Sequence, residues 1–252
     1  MSEHPARQLR NLAAELAVGA GDLLLRSRPS GISTKDTPTD LVTEADRAAE
    51  KWIVGRLSAE RSDDSIIAEE GSLHEGSTGI RWVIDPLDGT VNFVYGIPHW
   101  CVSIGIEGEV RAGVIRDPLR NETFRDDGDL AASDETDLAT AMIATGFSYH
   151  REVRARQAAV AAHVVPHVRD IRRFGSQALD LAWVAAGRFD AFYEDDSSHW
   201  DYSAGLALVE GAGGATRLHG RLVLAAGNPT LLDRLEVVVL EAYERVDAAP
   251  SS

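Results

Sequence analysis

Arg81-Trp82-Val83-Ile84-Asp85-Pro86-Leu87-Asp88-Gly89-Thr90 is the stretch on which the reading of this chain turns. Trp82, Val83 and Ile84 form a short apolar run of the kind that fills a fully buried strand. Pro86 has no N–H and restricts the residue before it, so strand pairing is expected to stop there. That places Asp85 at the carboxyl end of a strand, where α/β proteins put ligand sites. Asp88 follows within the turn, so the two carboxylates can converge on one point. Gly89 permits close backbone approach, and Gly89-Thr90-Val91-Asn92 can open a helix whose free N–H groups face an anion. A carboxylate pair beside an anion-binding turn suits a phosphate bridged to divalent cations, and oxygen ligands favour Mg²⁺ or Mn²⁺ over zinc. Taken alone, the motif fits a capped, strand-ending turn equally well.

Outward from that stretch, further acids fall at comparable places. Ile66-Ile67-Ala68-Glu69-Glu70-Gly71 reads as another buried strand ending in acid, and Trp200-Asp201 precedes a helix. Asp201 could be an ordinary N-cap, and Glu69 and Glu70 a solvated strand end. Apolar periodicity predicts helices over 6–27 and 44–59, with a polar, Pro- and Gly-containing loop over 29–40 between them. Strands are expected over 65–69, 81–85, 100–107 and 111–116, the last two joined by a hairpin at Gly108-Glu109-Val110. The second half alternates: strands over 141–146, 170–174, 189–194, 216–218 and 222–225, and helices over 149–165, 176–186, 202–211 and 230–246. This is an α/β pattern with antiparallel character in its first half, and no fixed-period repeat.

Composition bounds the function. Of 252 residues, 44% are hydrophobic and 26% charged, the balance of a globular protein, in one domain or two closely packed halves. A formal net charge of −15 disfavours binding to nucleic acid or anionic membranes. Such a protein handles anionic phosphates only with local positive charge, for which a bound cation is a ready source. The single cysteine, Cys101, excludes an intrachain disulfide and a Cys-based zinc site, and its apolar setting predicts a buried structural thiol. His150, His163 and His167 lack the spacing of a zinc pair, while His199 is expected at a pocket rim. Asp126-Asp127-Gly128-Asp129 reads as a solvated turn. No apolar run approaches a membrane span and the N-terminus has no signal-type core, so a cytoplasmic protein is expected.

With these segments in view, the chain resembles the inositol monophosphatase family of metal-dependent, lithium-sensitive phosphatases. The matching elements are Asp40-Leu41-Val42-Thr43-x-x-Asp46, Ala68-Glu69-Glu70, Trp82-x-Ile84-Asp85-Pro86-Leu87-Asp88-Gly89-Thr90-x-Asn92-Phe93, Gly175-Ser176-x-Ala178 and Trp200-Asp201-x-x-Ala204-Gly205, followed by Glu210-x-x-Gly213-Gly214. They occur in family order over nearly the whole chain. The resemblance implies an α+β sandwich with αβαβα layers, a mixed or antiparallel N-terminal sheet and a second, smaller α/β half. It implies one unit over 1–252, with a metal-binding half at 1–140 and a substrate-pocket half at 141–252.

The roles below are likewise what the resemblance implies. Glu69, Asp85 and the Leu87 carbonyl match a first metal site, and Asp85, Asp88 and Asp201 a second, with a third, weaker ion leaning on Glu69. Mg²⁺ is the expected cofactor, two to three ions, with Mn²⁺ a substitute. Thr90 and Asp46 resemble a water-orienting dyad, although Thr43-x-x-Asp46 also reads as a capping box; the two roles can coexist. Gly89 and Thr90 amides would hold the phosphate, while Asp88, Gly175, Ser176, Gln177, Glu194 and Asp201 would line the substrate pocket. Lys35 matches a basic residue of a mobile active-site loop. The expected substrate is a small phosphate ester, inositol 1-phosphate first, with fructose-1,6-bisphosphate, histidinol phosphate and nucleotide 3′-phosphates as alternatives and a scaffold protein as the non-enzyme reading. A homodimer is implied. The chain departs from the family pattern in a short, acidic 124–141 region and in Asp195-Asp196-Ser197-Ser198-His199.

Overall fold

A computed structural model describes residues 5–35 and 37–249. Helix α1 (Pro5–Arg26) leads through a short antiparallel pair, β1 (Ser33–Thr34) and β2 (Leu41–Val42), into α2 (Glu44–Glu60). A first sheet follows: β3 (Ser65–Ala68), β4 (Leu73–His74), β5 (Ile80–Asp88), β6 (Cys101–Gly108), β7 (Ala112–Asp117) and β8 (Glu122–Arg125), with α3 (Thr90–Tyr95) between β5 and β6. Its spatial order is β4-β3-β5-β6-β7-β8, parallel only between β3 and β5.

The second sheet takes β9 (Met142–Thr145), β10 (Asp170–Arg172), β11 (Ala191–Glu194), β12 (Ala215–His219) and β13 (Leu222–Ala226) in the order β10-β9-β11-β13-β12. Here β10, β9 and β11 run parallel, and β13 is antiparallel to both its neighbours. Helices α4 (Arg151–Val164), α5 (Gln177–Ala185), α6 (His199–Gly211) and α7 (Pro229–Ala248) complete the chain.

Five layers result. Leu9, Ala13, Leu16, Ala20 and Leu24 put one stripe of α1 on the first sheet, with Ala49, Ile53 and Leu57 of α2 beside it. On the sheet's other face lie α5 and α6, which also touch the second sheet; α4 and α7 cover that sheet from outside. This explains β6, whose residues from Cys101 to Ile106 are all buried: a sheet covered on both faces needs an apolar run rather than alternation. The expected αβαβα sandwich is therefore present.

Three expectations are corrected. Pro86 does not end β5. The strand continues to Asp88, and its register against β6 shifts between Asp85, opposite Ser103, and Asp88, opposite Cys101. Such a bulge removes the ladder position that Pro cannot fill and re-aims the side chains around it. Next, α6 begins at His199 rather than 202, with Ser198 as its N-cap. Finally, Asp126 is not in a merely solvated turn: it accepts from Arg10 Nε at 2.9 Å and from the Gly113 N–H at 3.1 Å, tying the acidic turn to α1. The short strands β1, β2, β4 and β8 were not foreseen; runs of two to four residues carry too little periodicity.

Candidate active site

The bulge in β5 turns Asp85 and Asp88 toward a cavity of about 100 Å³ lined from both sheets and from α5 and α6. Glu69, Leu87, Gly89, Thr90, Gly175, Ser176, Gln177, Glu194 and Asp201 line the same cavity. Of the expected site residues Asp46 stands behind the wall, reached through Thr90, and Lys35 lines an adjoining cleft.

Asp85 is buried, and its Oδ1 accepts the Leu87 N–H at 2.9 Å. Burial, then the charges of Glu69, Asp88 and Asp201, push its carboxyl well above the usual range. On Asp88, Oδ2 accepts from Ser176 Oγ and from the Ala178 N–H, both at 2.7 Å, and from Cys101 Sγ at 3.8 Å. Burial pushes Asp88 up to about 6, while the Ser176 and Ala178 donors hold it down. Asp201, third residue of α6, accepts the Ser198 N–H at 2.8 Å. Its carboxyl too is raised, by burial first and then by Glu69 and Asp88. Glu69, just past β3, meets Lys35 of the 29–40 loop; Lys35 Nζ lies 2.7 Å from Oε1 of both Glu69 and Glu70.

The Thr90 hydroxyl has two acceptors in reach, Asp46 Oδ1 at 2.8 Å and the Leu87 carbonyl at 3.1 Å. Asp46 is fixed from its other side by the Thr43 N–H at 2.9 Å and by the Thr43 hydroxyl. The capping box of α2 and the contact from Thr90 thus share one carboxylate. Gly89 caps α3 at φ 96°, a left-handed conformation, and a Cβ there would lie 3.1 Å from the His99 carbonyl. Beyond it, the first amides of α3 have no upstream acceptor within the helix.

Among the described residues no group of three or more His, Cys, Asp or Glu side chains is drawn together closely enough to hold an ion as it stands. The reason is visible: like charges share one cavity, and each acid leans on a protein donor instead. The donor set nevertheless fits a hard divalent cation, with carboxylates and a backbone carbonyl but no imidazole or thiolate. The acids of this pocket outnumber its cations, with Arg173 on the wall and Lys35 against Glu69.

On the substrate side, burial and the nearby Asp180 push Glu194 up to about 8, against the pull of Arg173. Ser176 N-caps α5, but its hydroxyl serves Asp88 rather than a helix amide. Asp40, Phe147, Tyr149, Arg173 and Asp180 line the cavity without having been singled out as site residues. Asp180 left a signal, an acid inside the apolar Ala178-Leu179-Asp180-Leu181-Ala182; Tyr149 and Arg173 sit in irregular segments and left none. His199 lines neither this cavity nor the adjoining cleft and instead bonds Glu107 Oε1 at 2.7 Å, so its rim assignment is corrected. Cys101 is buried as expected.

Layers and cavity together define an αβαβα protein with a carboxylate-lined pocket between its two sheets. The chain belongs to the inositol monophosphatase family, whose sequence model matches residues 6–248. It is thus a member of a phosphatase family. It is 37% identical over 284 residues to the inositol-1-monophosphatase SuhB of Mycobacterium tuberculosis, covering 98% of this chain and 97% of that one. It is 41% identical over 224 residues to a Nus factor SuhB of Pseudomonas aeruginosa, covering 81% of this chain and 83% of the other. In structure it resembles the extragenic suppressor protein SuhB of Bartonella henselae, with a TM-score of 0.85 at 34% identity, covering 92% of this chain and 98% of that one. An IMPase of Thermotoga maritima gives a TM-score of 0.84 at 29% identity, covering 95% and 99%.

Proposed function

We propose that this chain is a Mg²⁺-dependent phosphomonoesterase of small metabolites, with inositol 1-phosphate its first substrate. The observation that carries the reading is one cavity lined by Glu69, Asp85, Asp88 and Asp201, with the Thr90–Asp46 pair at its edge. Glu69, Asp85 and the Leu87 carbonyl would hold one cation, and Asp85, Asp88 and Asp201 a second; a third would lean on Glu69. Bound there, the cations supply Lewis-acid activation of water and neutralise phosphate oxygens.

The chain's own groups do the rest. Thr90 donates to Asp46, which turns the hydroxyl oxygen's lone pairs outward to accept from the attacking water and orient it. Gly89 and Thr90 amides receive the phosphate at the start of α3. Ser176 and the Ala178 N–H hold Asp88 in place. Glu194 and the Gly175–Gln177 segment face the hydroxyls of the leaving alcohol. We read the chain as one unit, with a metal-holding half over 1–140 and a substrate half over 141–252, forming a homodimer in the cytoplasm. No helix among the described residues is long and apolar enough to cross a membrane.

The test is a phosphate-release screen with Mg²⁺ that compares inositol 1-phosphate, fructose-1,6-bisphosphate, histidinol phosphate, adenosine 3′,5′-bisphosphate and glycerol 2-phosphate. Fastest release from inositol 1-phosphate, inhibited by millimolar lithium, is the expected result. A second reading, a regulatory protein on the same fold, is favoured by the relatives named Nus factor SuhB. Retention of every expected ligand argues for catalysis, and the −15 net charge argues against nucleic acid as a direct partner. No release from any of the five esters would favour that second reading.

A further inference from the structure

Two turns meet at the cavity, the phosphate turn at Gly89–Thr90 and the substrate turn at Phe174–Ser176, and the Asn92 side chain is one of the ties between them. Asn92, in the first turn of α3, is 5% exposed. Its Nδ2 donates to the His99 carbonyl at 2.7 Å and to the Phe174 carbonyl at 2.8 Å, and stands 3.4 Å from the Gly175 carbonyl. The amide's two protons are thus engaged by carbonyls from two different segments. The segments approach through one glycine each. Gly175 sits at φ 88°, and a Cβ there would lie 3.3 Å from Asn92 Nδ2; a Cβ on Gly89 would lie 3.3 Å from the Gly175 carbonyl.

We propose that Asn92 is a positioning residue that couples recognition of the leaving alcohol to alignment of the phosphate. This rests on the phosphatase reading above. A substrate whose hydroxyls engage the Gly175–Gln177 segment fixes that turn, and Asn92 passes the constraint to Gly89 and Thr90. The second tie between the turns, from Ser176 and Ala178 to Asp88, bears directly on a cation ligand. Asn92 touches neither substrate nor ligand carboxylate, so its removal isolates the coupling. Without its NH₂, three carbonyl oxygens face one another with no donor between them, and the turns part.

Asn92→Ala and Asn92→Asp in the full chain test this, with kcat and KM measured for inositol 1-phosphate and for p-nitrophenyl phosphate, which has no hydroxyls for the substrate turn. The expected result is a fall of about 10²-fold in kcat/KM for the inositol ester, carried by kcat, the scale of an ångström-level misalignment. The nitrophenyl ester falls far less, so discrimination between the two shrinks at least about tenfold, while Mn²⁺ affinity by titration calorimetry is unchanged. Asn92→Asp, which aims an acceptor at three carbonyls, loses more than Asn92→Ala. Asn92→Ser retains one donor, falls between, and serves if the alanine variant does not fold. Equal loss on both esters in a folded variant, or no loss on either, overturns the proposal. No turnover by the unmodified chain instead overturns the phosphatase reading beneath it.

Discussion

Helices α2 and α6 begin with the same device, a Thr or Ser N-cap with an aspartate three residues on, and the two aspartates end in different states. In the first box Asp46 holds three protein donors: Oδ2 takes the Thr43 N–H and hydroxyl, and Oδ1 takes the Thr90 hydroxyl. In the second, Asp201 takes the Ser198 N–H, and it lines the cavity with Glu69, Asp85 and Asp88. Burial raises both carboxyls. Three hydrogen bonds restrain Asp46, whereas Asp201 faces further negative charge and is driven well above the carboxylate range. A capping box alone therefore does not say whether its acid is a structural acceptor or a cation ligand. The oxygens left over after capping do.

The largest effect should separate the two acids in catalysis. Asp201→Asn is expected to cut Mg²⁺-dependent phosphate release by roughly 10²–10³-fold or more, the scale of removing a preorganised electrostatic partner. Asp46→Asn, which on the proposed reading disturbs the group orienting water and leaves the cation ligands in place, should cost about 10–100-fold with Mn²⁺ affinity kept. Full activity in Asp201→Asn would end the two-cation assignment.

Stability without metal should rank them the other way. Asp201→Asn removes a charge repelled by its neighbours while keeping an acceptor for the Ser198 N–H, so calorimetry should show a raised Tm. Asp46→Asn turns an NH₂ toward the Thr43 or Thr90 donors and should cost about 1–3 kcal/mol. At this chain length each kcal/mol moves Tm by about 2–4 °C. A lowered Tm in Asp201→Asn would show that its charge is already compensated within the protein.

The pH dependence follows with a definite sign. Carboxyls whose folded pKa lies above the unfolded value keep the folded state more protonated than the unfolded one, so stability falls as pH rises between the two values. Glu194, at about 8, and Asp88, at about 6, set that window at roughly pH 4 to 8 against ordinary unfolded carboxylates. The metal-free protein should thus melt higher at pH 5 than at pH 8, and Mg²⁺ should raise Tm more at pH 8. A Tm that climbs with pH in the absence of metal would contradict the charge-crowded pocket.

The same contrast marks what could be read from sequence. Asp85, Asp88, Glu69 and Asp201 were readable because each ends or follows an apolar run or opens a helix, and the order of motifs supplied their partnership. The long elements were readable for the same reason: α1 and α7 carry a stripe, and β6 an uninterrupted apolar run. The bulge at Asp85–Asp88 was not, since Pro86 predicts a broken ladder equally well whether the strand stops or bulges. Asp180 is marked by its apolar neighbours, but Arg173 and Tyr149 come to the cavity from irregular segments that no local pattern encodes. Asn92 lay inside a motif, yet its task is to bridge segments 82 and 7 residues away.

The smallest effect lies in the caps themselves. Replacing a Ser or Thr N-cap by Ala costs about 1 kcal/mol in either helix. At α6, Ser198→Ala leaves the Ser198 N–H still donating to Asp201, so the acid keeps its aim and phosphate release should be unchanged. At α2, Thr43→Ala removes a hydroxyl that accepts from the Ala45 N–H at 3.1 Å and also donates to Asp46. The stability loss there should be similar in size or slightly larger, but it should come with a several-fold drop in kcat, because Asp46 loses one of the groups holding it toward Thr90. Matched thermal shifts with kcat lowered in Thr43→Ala alone would separate an acid that is held by its cap from one that is merely beside it. An equal drop in both variants would mean that the Ser198 hydroxyl also fixes Asp201, and that the two boxes differ less than their hydrogen bonds suggest.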